Sequence, residues 1–439
     1  MSPSSLDRRE FARLFAFGGS AALLGHPALR DLVGAEPIGG RLADGATAAW
    51  PPRALRRGAE VDWVGVRAQF LMPAELTVLN AANLCPAPLA VLRSVQEDTE
   101  HLDREPVPTF REEMHGVKER TRELVAAHLH VSPEEILITR NTSEANNWVS
   151  SGLDLGAGDE VVIHFDNHPS NNLAWKEKAK RFGYTVVEVP YAPHPGPEAL
   201  LDAFRRALTP RTRVLAFTHL TNTSGDLFPA AELCRMARER GVLTLVDGAQ
   251  SFGHLVVDLS AMQPDFYSGS AHKWPCGPKE TGVLYVRSDI QSRLWPSVYS
   301  AYTGRTPLAR THEGMGQRDE PAIRAFGRQI EFLGSIGQAA IEARGRELAT
   351  ALVEELVKVD GVRMFTPRDP ALRAGVVTFD PAGLEPAKVL TALQSDGIVG
   401  ASRGGSDRPG IRFSPHLYNS FEDVERAAAA IRRYVRSGL

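Results

Sequence analysis

The chain has 439 residues, of which 43% are hydrophobic and 23% charged, and its formal net charge is -3 at pH 7. This composition is typical of globular proteins and excludes a disordered or fibrous chain. Because positive and negative charges nearly balance, no global field attracts nucleic acid, and no nucleic-acid partner is predicted. The length is sufficient for two domains of ordinary size.

The N-terminal segment differs in character from the rest of the chain. Arg8 and Arg9 precede an apolar run of mostly small residues from Leu14 to Leu24. This pattern predicts a twin-arginine export signal over residues 1–35 and a periplasmic protein. The alternative is an amphipathic tail on a cytoplasmic protein. Because the apolar run is shorter than the ~20 residues that cross a bilayer as a helix, no stable membrane span is predicted.

Residues 36–75 are rich in Gly, Pro and Ala, with weak periodicity, and predict a linker followed by an extended arm. Beyond them, short apolar runs alternate with helical patterns. The predicted strands are Ile136–Thr139, Glu160–His164, Thr185–Val189, Val214–Thr218 and Leu243–Val246. The predicted helices are Arg111–His130, one that opens at Asn141–Glu144, Asn172–Phe182, Pro197–Leu208 and Pro229–Arg240. This alternation predicts an α/β fold with a mainly parallel sheet, in which ligands bind where the strands end.

The pattern changes near residue 320. A long helical stretch is predicted from Pro321 to Val359, and a smaller α/β segment follows it. That segment contains two predicted strands and a closing helix, at Gly375–Phe379, Gly410–Ser414 and Glu422–Val435. We therefore predict a large ligand-binding domain over residues 76–320 and a small C-terminal domain over residues 321–439.

Polar residues follow several of the predicted strands. The segment Asn141–Glu144 places hydroxyl groups and free backbone N–H groups at a helix N-terminus, which suits a phosphate, although such residues also cap helices generally. Asp247 leaves a buried strand at a Gly-containing turn. A buried carboxylate is costly unless it meets a cation, and a protonated pyridine nitrogen is such a partner. The alternatives are a turn cap or a metal ligand, but no second carboxylate lies nearby in the sequence.

Lys273 is one of only eight lysines and lies among small and apolar residues, close to Ser270 and His272. Burial lowers the pKa of a lysine and favours its reaction with a carbonyl group. The nearest competitor is Lys279, which follows six residues later beside Glu280. A phosphate seat, a carboxylate for a pyridine nitrogen and a reactive lysine together predict that Lys273 holds pyridoxal 5'-phosphate.

Five segments, NTSEANN, DNHPSNN, THLTNTSG, VDGAQSFGH and SGSAHKWPCGP, follow one another in this order. They resemble the class V aminotransferase superfamily of fold-type I pyridoxal-phosphate enzymes, and most of all its isopenicillin N epimerase-like and cysteine desulfurase-like branches. The resemblance extends over about residues 76–435. It implies a seven-stranded, mainly parallel sheet and a homodimer with shared active sites.

The resemblance also assigns roles to residues that would bind the cofactor. Asp247 would face the ring nitrogen, and His168 would stack on the ring and help to move protons. The phosphate would be bound by Thr142, Ser143, Ser270 and His272, and the phenolic oxygen of the ring by Asn222 and Gln250.

For the reaction itself, Lys273 would serve as the base at the substrate Cα after releasing the cofactor. Arg412 resembles the arginine that binds the substrate carboxylate, and Arg403 is a second candidate. The segment GMGQRDEPAI resembles the stretch through which a neighbouring subunit reaches the phosphate, with Gln317 where threonine is usual.

Cysteine desulfurases carry a cysteine on the substrate loop, because a thiolate must accept the sulfur. The corresponding stretch here, SRGGSDRPGIRF, has none, and Cys85, Cys234 and Cys276 lie in other segments. We therefore predict epimerase-like or C–S lyase (β-elimination) chemistry at Cα. A class V aminotransferase is the alternative, ahead of a cysteine desulfurase or a non-catalytic cofactor-binding protein. The cysteines lack metal-ligand spacing, so no metal site is predicted, although two of them could pair in an exported protein.

Overall fold

A computed structural model of the chain describes residues 55–57, 60–301, 308–403 and 408–439. The predicted export signal and residues 36–54 of the predicted linker lie outside the described residues. Within the described part, no helix has the length and apolar character needed to cross a membrane.

The strands, in chain order, are β1 Arg56–Arg57, β2 Glu60–Val61, β3 Thr77–Val78, β4 Ile136–Thr139, β5 Glu160–His164, β6 Thr185–Val189, β7 Thr212–Thr218, β8 Leu243–Asp247, β9 Phe266–Ser270, β10 Gly282–Val286, β11 Arg363–Met364, β12 Val377–Asp380, β13 Ile398–Val399, β14 Ala401–Arg403 and β15 Gly410–Phe413. The α-helices are α1 Trp63–Arg67, α2 Leu89–Arg104, α3 Pro108–Leu129, α4 Thr142–Gly152, α5 Pro169–Phe182, α6 Gly196–Ala207, α7 Ala230–Arg238, α8 Leu259–Met262, α9 Leu308–His312, α10 Glu320–Ile336, α11 Gln338–Leu356, α12 Pro386–Ser395 and α13 Phe421–Ser437. Three short 3-10 helices cover Pro133–Glu135, Ser288–Arg293 and Pro370–Leu372.

The large sheet has seven strands in the order β4-β10-β9-β8-β7-β5-β6. The pairs from β6 to β9 are parallel, whereas β10 runs antiparallel to both of its neighbours. Most of its strands are buried along their full length, as expected when helices cover both faces. The predicted fold class is confirmed.

Two strands of this sheet, β9 and β10, were not among the predicted strands. Most of β9 consists of Tyr, Ser and Gly, a composition that favours turns as much as strands. It is nevertheless completely buried between β8 and β10. Tertiary packing therefore determines its conformation.

The helical stretch predicted from Pro321 to Val359 consists of two helices, α10 and α11, which meet at Gly337. Gly337 has φ 93°, a conformation that glycine adopts at little cost and that ends a helix. α10 packs on α2 and α3, and α11 packs on α13.

A second sheet, with the order β11-β12-β15-β14, is antiparallel and lies in the C-terminal part of the chain. The chain before the large sheet joins this region, because β3 pairs with β13 and Asn80 forms a bridge with Ser414. As a result, Asn80 lies within hydrogen-bonding distance of Arg412 on β15, at 3.1 Å.

Candidate active site

A cleft of about 310 Å³ lies where the parallel strands of the large sheet end. This volume is within the roughly 300–1,000 Å³ range of small-molecule sites. The predicted residues that line it are Thr142, Ser143, His168, Asn222, Asp247, Gln250, Ser270, His272, Lys273 and Arg403. Arg412 is the predicted residue that does not line it. The cleft therefore brings together predicted side chains from six separate segments of the chain.

One end of the cleft is formed by the N-terminus of α4. Asn141 caps this helix by accepting a hydrogen bond from the backbone N–H of Glu144 at 3.0 Å. The backbone N–H of Thr142 donates to Ser270 Oγ at 2.8 Å, and the two hydroxyl groups also lie 2.8 Å apart. These bonds lock the end of β9 to the start of α4. Hydroxyl groups at the positive end of a helix suit a phosphate.

His168 is connected to this end of the cleft through Ser170. The Ser143 hydroxyl donates to Ser170 Oγ at 3.1 Å, and Ser170 Oγ lies 2.7 Å from His168 Nδ1. The backbone N–H of Ser170 also donates to Nδ1, at 3.2 Å. Because Nδ1 accepts, the neutral ring carries its proton on Nε2. Burial, together with the charge of Lys273, lowers the pKa of His168, so the ring is neutral near pH 7.

Sequence reasoning did not single out Ser170, although it lies inside the DNHPSNN segment. One of its contacts could be expected from the sequence. The side chain of the residue that precedes a helix commonly accepts a hydrogen bond from a backbone N–H in the first turn. The contact with Ser143 could not be predicted from the sequence, because Ser143 lies on α4 and Ser170 on α5.

Asp247 is buried at the end of β8, with 2% of its surface exposed. Its Oδ2 accepts hydrogen bonds from Asn146 Nδ2 at 2.9 Å and from Asn171 Nδ2 at 3.2 Å. Its Oδ1 accepts from the backbone N–H of Ala249 at 3.1 Å. Three N–H donors suit a charged carboxylate, which can then face a protonated ring nitrogen.

The orientations of both asparagine side chains are fixed by further hydrogen bonds. The Ser268 hydroxyl donates to Asn146 Oδ1 at 2.7 Å, and the Trp175 indole N–H donates to Asn171 Oδ1 at 3.1 Å. Each amide oxygen is thereby occupied, so each amide nitrogen is directed to Asp247. Sequence reasoning missed both asparagines; the available signal was a polar residue on the inner face of each helix.

Lys273 lies on the loop that follows β9. Burial lowers its pKa from 10.5 to about 8. Asp247 opposes this shift, whereas Arg412 and Arg403 add to it. A lysine with this pKa is partly neutral near pH 8 and can accept a proton or attack a carbonyl group. The adjacent His272 has its pKa lowered to about 4, mainly by burial, and is neutral.

Gln250 makes two hydrogen bonds that fix its amide. Its Nε2 donates to the carbonyl oxygen of Ala82 at 3.0 Å, and its Oε1 accepts from the Trp274 indole N–H at 2.7 Å. Trp274 is in turn stacked on His254, with ring centroids 3.7 Å apart. The second N–H of the Gln250 amide suits an acceptor such as a phenolic oxygen.

Two arginines lie near Lys273: Arg403, which lines the cleft, and Arg412, which does not. Arg412 is fully buried and donates to the carbonyl oxygen of Asn222 at 3.2 Å and to Asn80 Oδ1 at 3.1 Å. Burial and the charge of Arg403 lower its pKa to about 9. Among the described residues, the Nε atoms of Arg403 and Arg412 have no hydrogen-bond partner. Buried guanidinium groups of this kind favour an anionic ligand.

The donor set of the cleft fits pyridoxal phosphate. It provides a hydroxyl-lined helix N-terminus for the phosphate, a buried carboxylate for the ring nitrogen and a lysine of lowered pKa for the carbonyl carbon. The individual roles of these side chains stay predictions.

The chain is similar in sequence to proteins of known family. The isopenicillin N epimerase of Streptomyces clavuligerus is 31% identical over 392 residues, covering 85% of this chain and 98% of that protein. A probable cysteine desulfurase of Methanothermobacter thermautotrophicus is 31% identical over 378 residues, covering 79% and 92%.

Solved structures share the fold. The cysteine desulfurase CsdA of Escherichia coli has a TM-score of 0.76 at 25% identity, covering 85% of this chain and 98% of that one. A cystine C–S lyase, C-DES, in complex with cysteine persulfide also has a TM-score of 0.76, at 24% identity, with coverage of 82% and 98%. The family model for aminotransferase class V matches residues 78–427. The chain therefore belongs to the class V aminotransferase family of pyridoxal-phosphate-dependent enzymes.

Proposed function

We propose that this enzyme removes the Cα proton of an amino acid whose carboxylate is bound by Arg403 and Arg412. The proton is then returned, as in an epimerase, or a sulfur substituent leaves Cβ, as in a C–S lyase. The observation that carries the proposal is the position of Lys273, with a pKa of about 8. It lines the same cleft as Arg403 and lies near Arg412, whose hydrogen-bond acceptors, the Asn222 carbonyl and the Asn80 amide, are neutral.

Pyridoxal phosphate, when bound, withdraws electrons from the substrate Cα. Asp247, held by Asn146 and Asn171, would maintain a proton on the ring nitrogen. His168 would present a neutral imidazole to the ring. Lys273 would hold the cofactor through its ε-amine and, once freed, accept the Cα proton.

Arg403 and Arg412 determine which amino-acid atoms face Lys273. A guanidinium group binds a carboxylate through two parallel hydrogen bonds, which fixes its orientation as well as its position. Arg403 lines the cleft, whereas Arg412 lies behind it and contacts the main chain of Asn222. We therefore propose that Arg403 contacts the substrate carboxylate directly. Arg412, which is fully buried, would add a second positive charge.

The cysteines argue against sulfur relay through an enzyme persulfide. The chain has three cysteines, and Cys85, Cys234 and Cys276 are all at most 2% exposed. An acceptor thiol must be accessible as a thiolate. In the lyase outcome, the sulfur would therefore leave as a free thiol or persulfide rather than on the enzyme.

The epimerase outcome draws support from the relative named isopenicillin N epimerase, 98% of whose length is matched. An amino-acid panel in deuterated water separates the outcomes. Deuterium at Cα with inverted stereochemistry and no keto acid would identify an epimerase. Release of ammonia and pyruvate would identify a lyase. Keto acid formed only with a second amino acceptor would identify an aminotransferase and overturn the proposal.

We also propose a homodimer. Trp295 and Tyr299 are 60% and 67% exposed, and the intervening Val298 lines a depression together with Asn141 and Ser143 at the N-terminus of α4. An exposed apolar group beside the phosphate end of the cleft favours contact with a second copy. Sedimentation of the holoenzyme tests this; a monomer at micromolar concentration would contradict it.

Export remains a proposal that rests on Arg8 and Arg9. Replacing both with lysine should retain the protein in the cytoplasm, because twin-arginine signals require the guanidinium pair. Arg13→Lys is the matched control. Cell fractionation measures the outcome, and equal periplasmic amounts of all three proteins would exclude this export route.

A further inference from the structure

Three side chains of metal-ligand type lie together outside the cofactor cleft. The sulfur atoms of Cys85 and Cys276 and a ring nitrogen of His416 all lie within 4.8 Å of one another. All three residues are at most 2% exposed. They come from three distant segments, so no ligand spacing in the sequence reveals them.

His416 has an unsatisfied nitrogen. Its Nε2 lies 2.6 Å from the carbonyl oxygen of Trp274, which can only accept, so Nε2 carries the proton. The lone pair is therefore on Nδ1, which is buried and has no hydrogen-bond partner among the described residues. An unpaired buried acceptor is unfavourable, so a ligand that binds this nitrogen would stabilise it. A free lone pair on a ring nitrogen is what a histidine offers to a cation.

The two thiols provide the charge that a cation needs. Each thiol would lose its proton on binding a cation, because the thiolate is the form that binds a metal. Two thiolates and one divalent cation have no net charge, which suits a site without solvent. The Tyr418 hydroxyl lies 3.5 Å from Cys85 Sγ and provides a further oxygen.

The separations of the three ligand atoms are compatible with a zinc site. Around zinc, with Zn–S distances of about 2.3 Å, two sulfur ligands lie about 3.8 Å apart. The present separations are within 4.8 Å, so only a small contraction is needed. We propose that Cys85, Cys276 and His416 bind one zinc ion, with the Tyr418 hydroxyl next to the fourth position.

Such an ion would stabilise the loop that carries Lys273. The backbone N–H of Cys276 donates to the carbonyl oxygen of Lys273 at 2.8 Å, and that of Cys85 donates to the carbonyl oxygen of His272 at 2.9 Å. Cys85 and Cys276 are thus hydrogen-bonded to the loop of Lys273. Through His416, zinc would join this loop to the segment that follows β15. The role is structural, and its test needs no turnover.

The test is the metal content of the purified holoenzyme after incubation with zinc and removal of loosely bound ions. We expect about one zinc per chain in the wild type. Cys85→Ser and Cys276→Ser should each lose at least nine-tenths of it. Cys234→Ser is the matched control, because Cys234 is equally buried but lies on α7, outside the cluster. Retention of zinc by the two cluster variants would overturn the proposal.

Reconstitution of the wild type with cobalt provides a second measurement that does not depend on the folding of variants. Tetrahedral coordination with sulfur ligands produces intense d–d absorption in the red, away from the cofactor bands. Absence of zinc together with three titratable thiols would overturn the proposal, as would a disulfide between Cys85 and Cys276.

Discussion

Asn146 on α4 donates its side-chain N–H to Asp247 Oδ2 at 2.9 Å, and this bond joins the phosphate end of the cleft to its ring-nitrogen end. The same helix begins at Thr142, whose backbone N–H bonds to Ser270. One rigid element therefore positions both the phosphate ligands and the carboxylate. A change at Asn146 should displace the carboxylate without removing any group that contacts the cofactor.

We expect Asn146→Leu to lower kcat by roughly ten- to hundredfold, because hydrogen bonds to charged groups contribute about 1.5–3 kcal/mol. KM for the amino acid should change little, since the carboxylate-binding arginines are untouched. Absorbance titration of the bound cofactor measures the effect on the ring independently of turnover.

The control for this prediction is Asn147→Leu. Asn147 is the next residue on the same helix, and its amide donates instead to the carbonyl oxygen of Ser143 at 2.9 Å. It should leave the cofactor titration close to that of the wild type. Equal shifts in both variants would mean that the effect comes from the helix and not from Asp247.

Lys273→Ala should abolish covalent attachment of the cofactor and lower activity by roughly 10²–10⁴-fold, the usual contribution of a general base. Borohydride reduction followed by peptide mass spectrometry measures the attachment. Lys279→Ala, which changes an exposed lysine six residues away, should retain both properties. A reduced cofactor found on a peptide that contains Lys279 would refute the assignment.

The lowered pKa of Lys273 predicts a pH dependence of stability in the cofactor-free protein. Below pH 8 the Lys273 amine is charged in both the folded and the unfolded protein. The folded protein then bears the full free-energy cost of burying the charge. Between pH 8 and 10.5 the folded protein releases this proton while the unfolded chain retains it, so stability rises with pH.

Lys273→Met removes this contribution. The variant should be more stable than the wild type at pH 7, by an amount on the order of 1–3 kcal/mol, and the difference should shrink towards pH 10.5. Urea unfolding at several pH values measures it. A difference that stays constant or widens over this range would contradict the lowered pKa.

Much of the fold was predictable because its strands are short apolar runs between capped helices. β4, β5 and β6 were predicted with their observed bounds, and β8 with a difference of one residue. β9 was missed because its Tyr, Ser and Gly residues carry no apolar alternation. The break at Gly337 was also missed, since one glycine within a helical pattern is commonly tolerated.

The cofactor residues were predictable because they follow strands and occur in segments with a recognisable order. The partners that hold them were not. Asn146 and Asn171 approach Asp247 from two different helices, and this approach depends on how α4 and α5 pack on the sheet. The proximity of Cys85 and His416 could not be predicted for the same reason. It depends on the C-terminal part of the chain packing against the segment that precedes the large sheet.

Arg403 is the arginine that lines the cleft. Arg403→Met should raise KM for an amino acid by roughly ten- to hundredfold, the value of one charge-assisted interaction with a carboxylate. Arg363→Met is the control, since Arg363 is an exposed arginine on β11 that pairs with Asp380.

Comparison of an amino acid with its amide distinguishes loss of carboxylate binding from general damage to the cleft. The amide lacks the negative charge, so wild type and Arg403→Met should use it with similar KM. The same comparison for Arg412→Met shows whether the deeper arginine contacts the substrate. If KM for the acid and KM for the amide rise to the same extent in both variants, the arginines support the structure of the cleft and the substrate carboxylate is bound elsewhere.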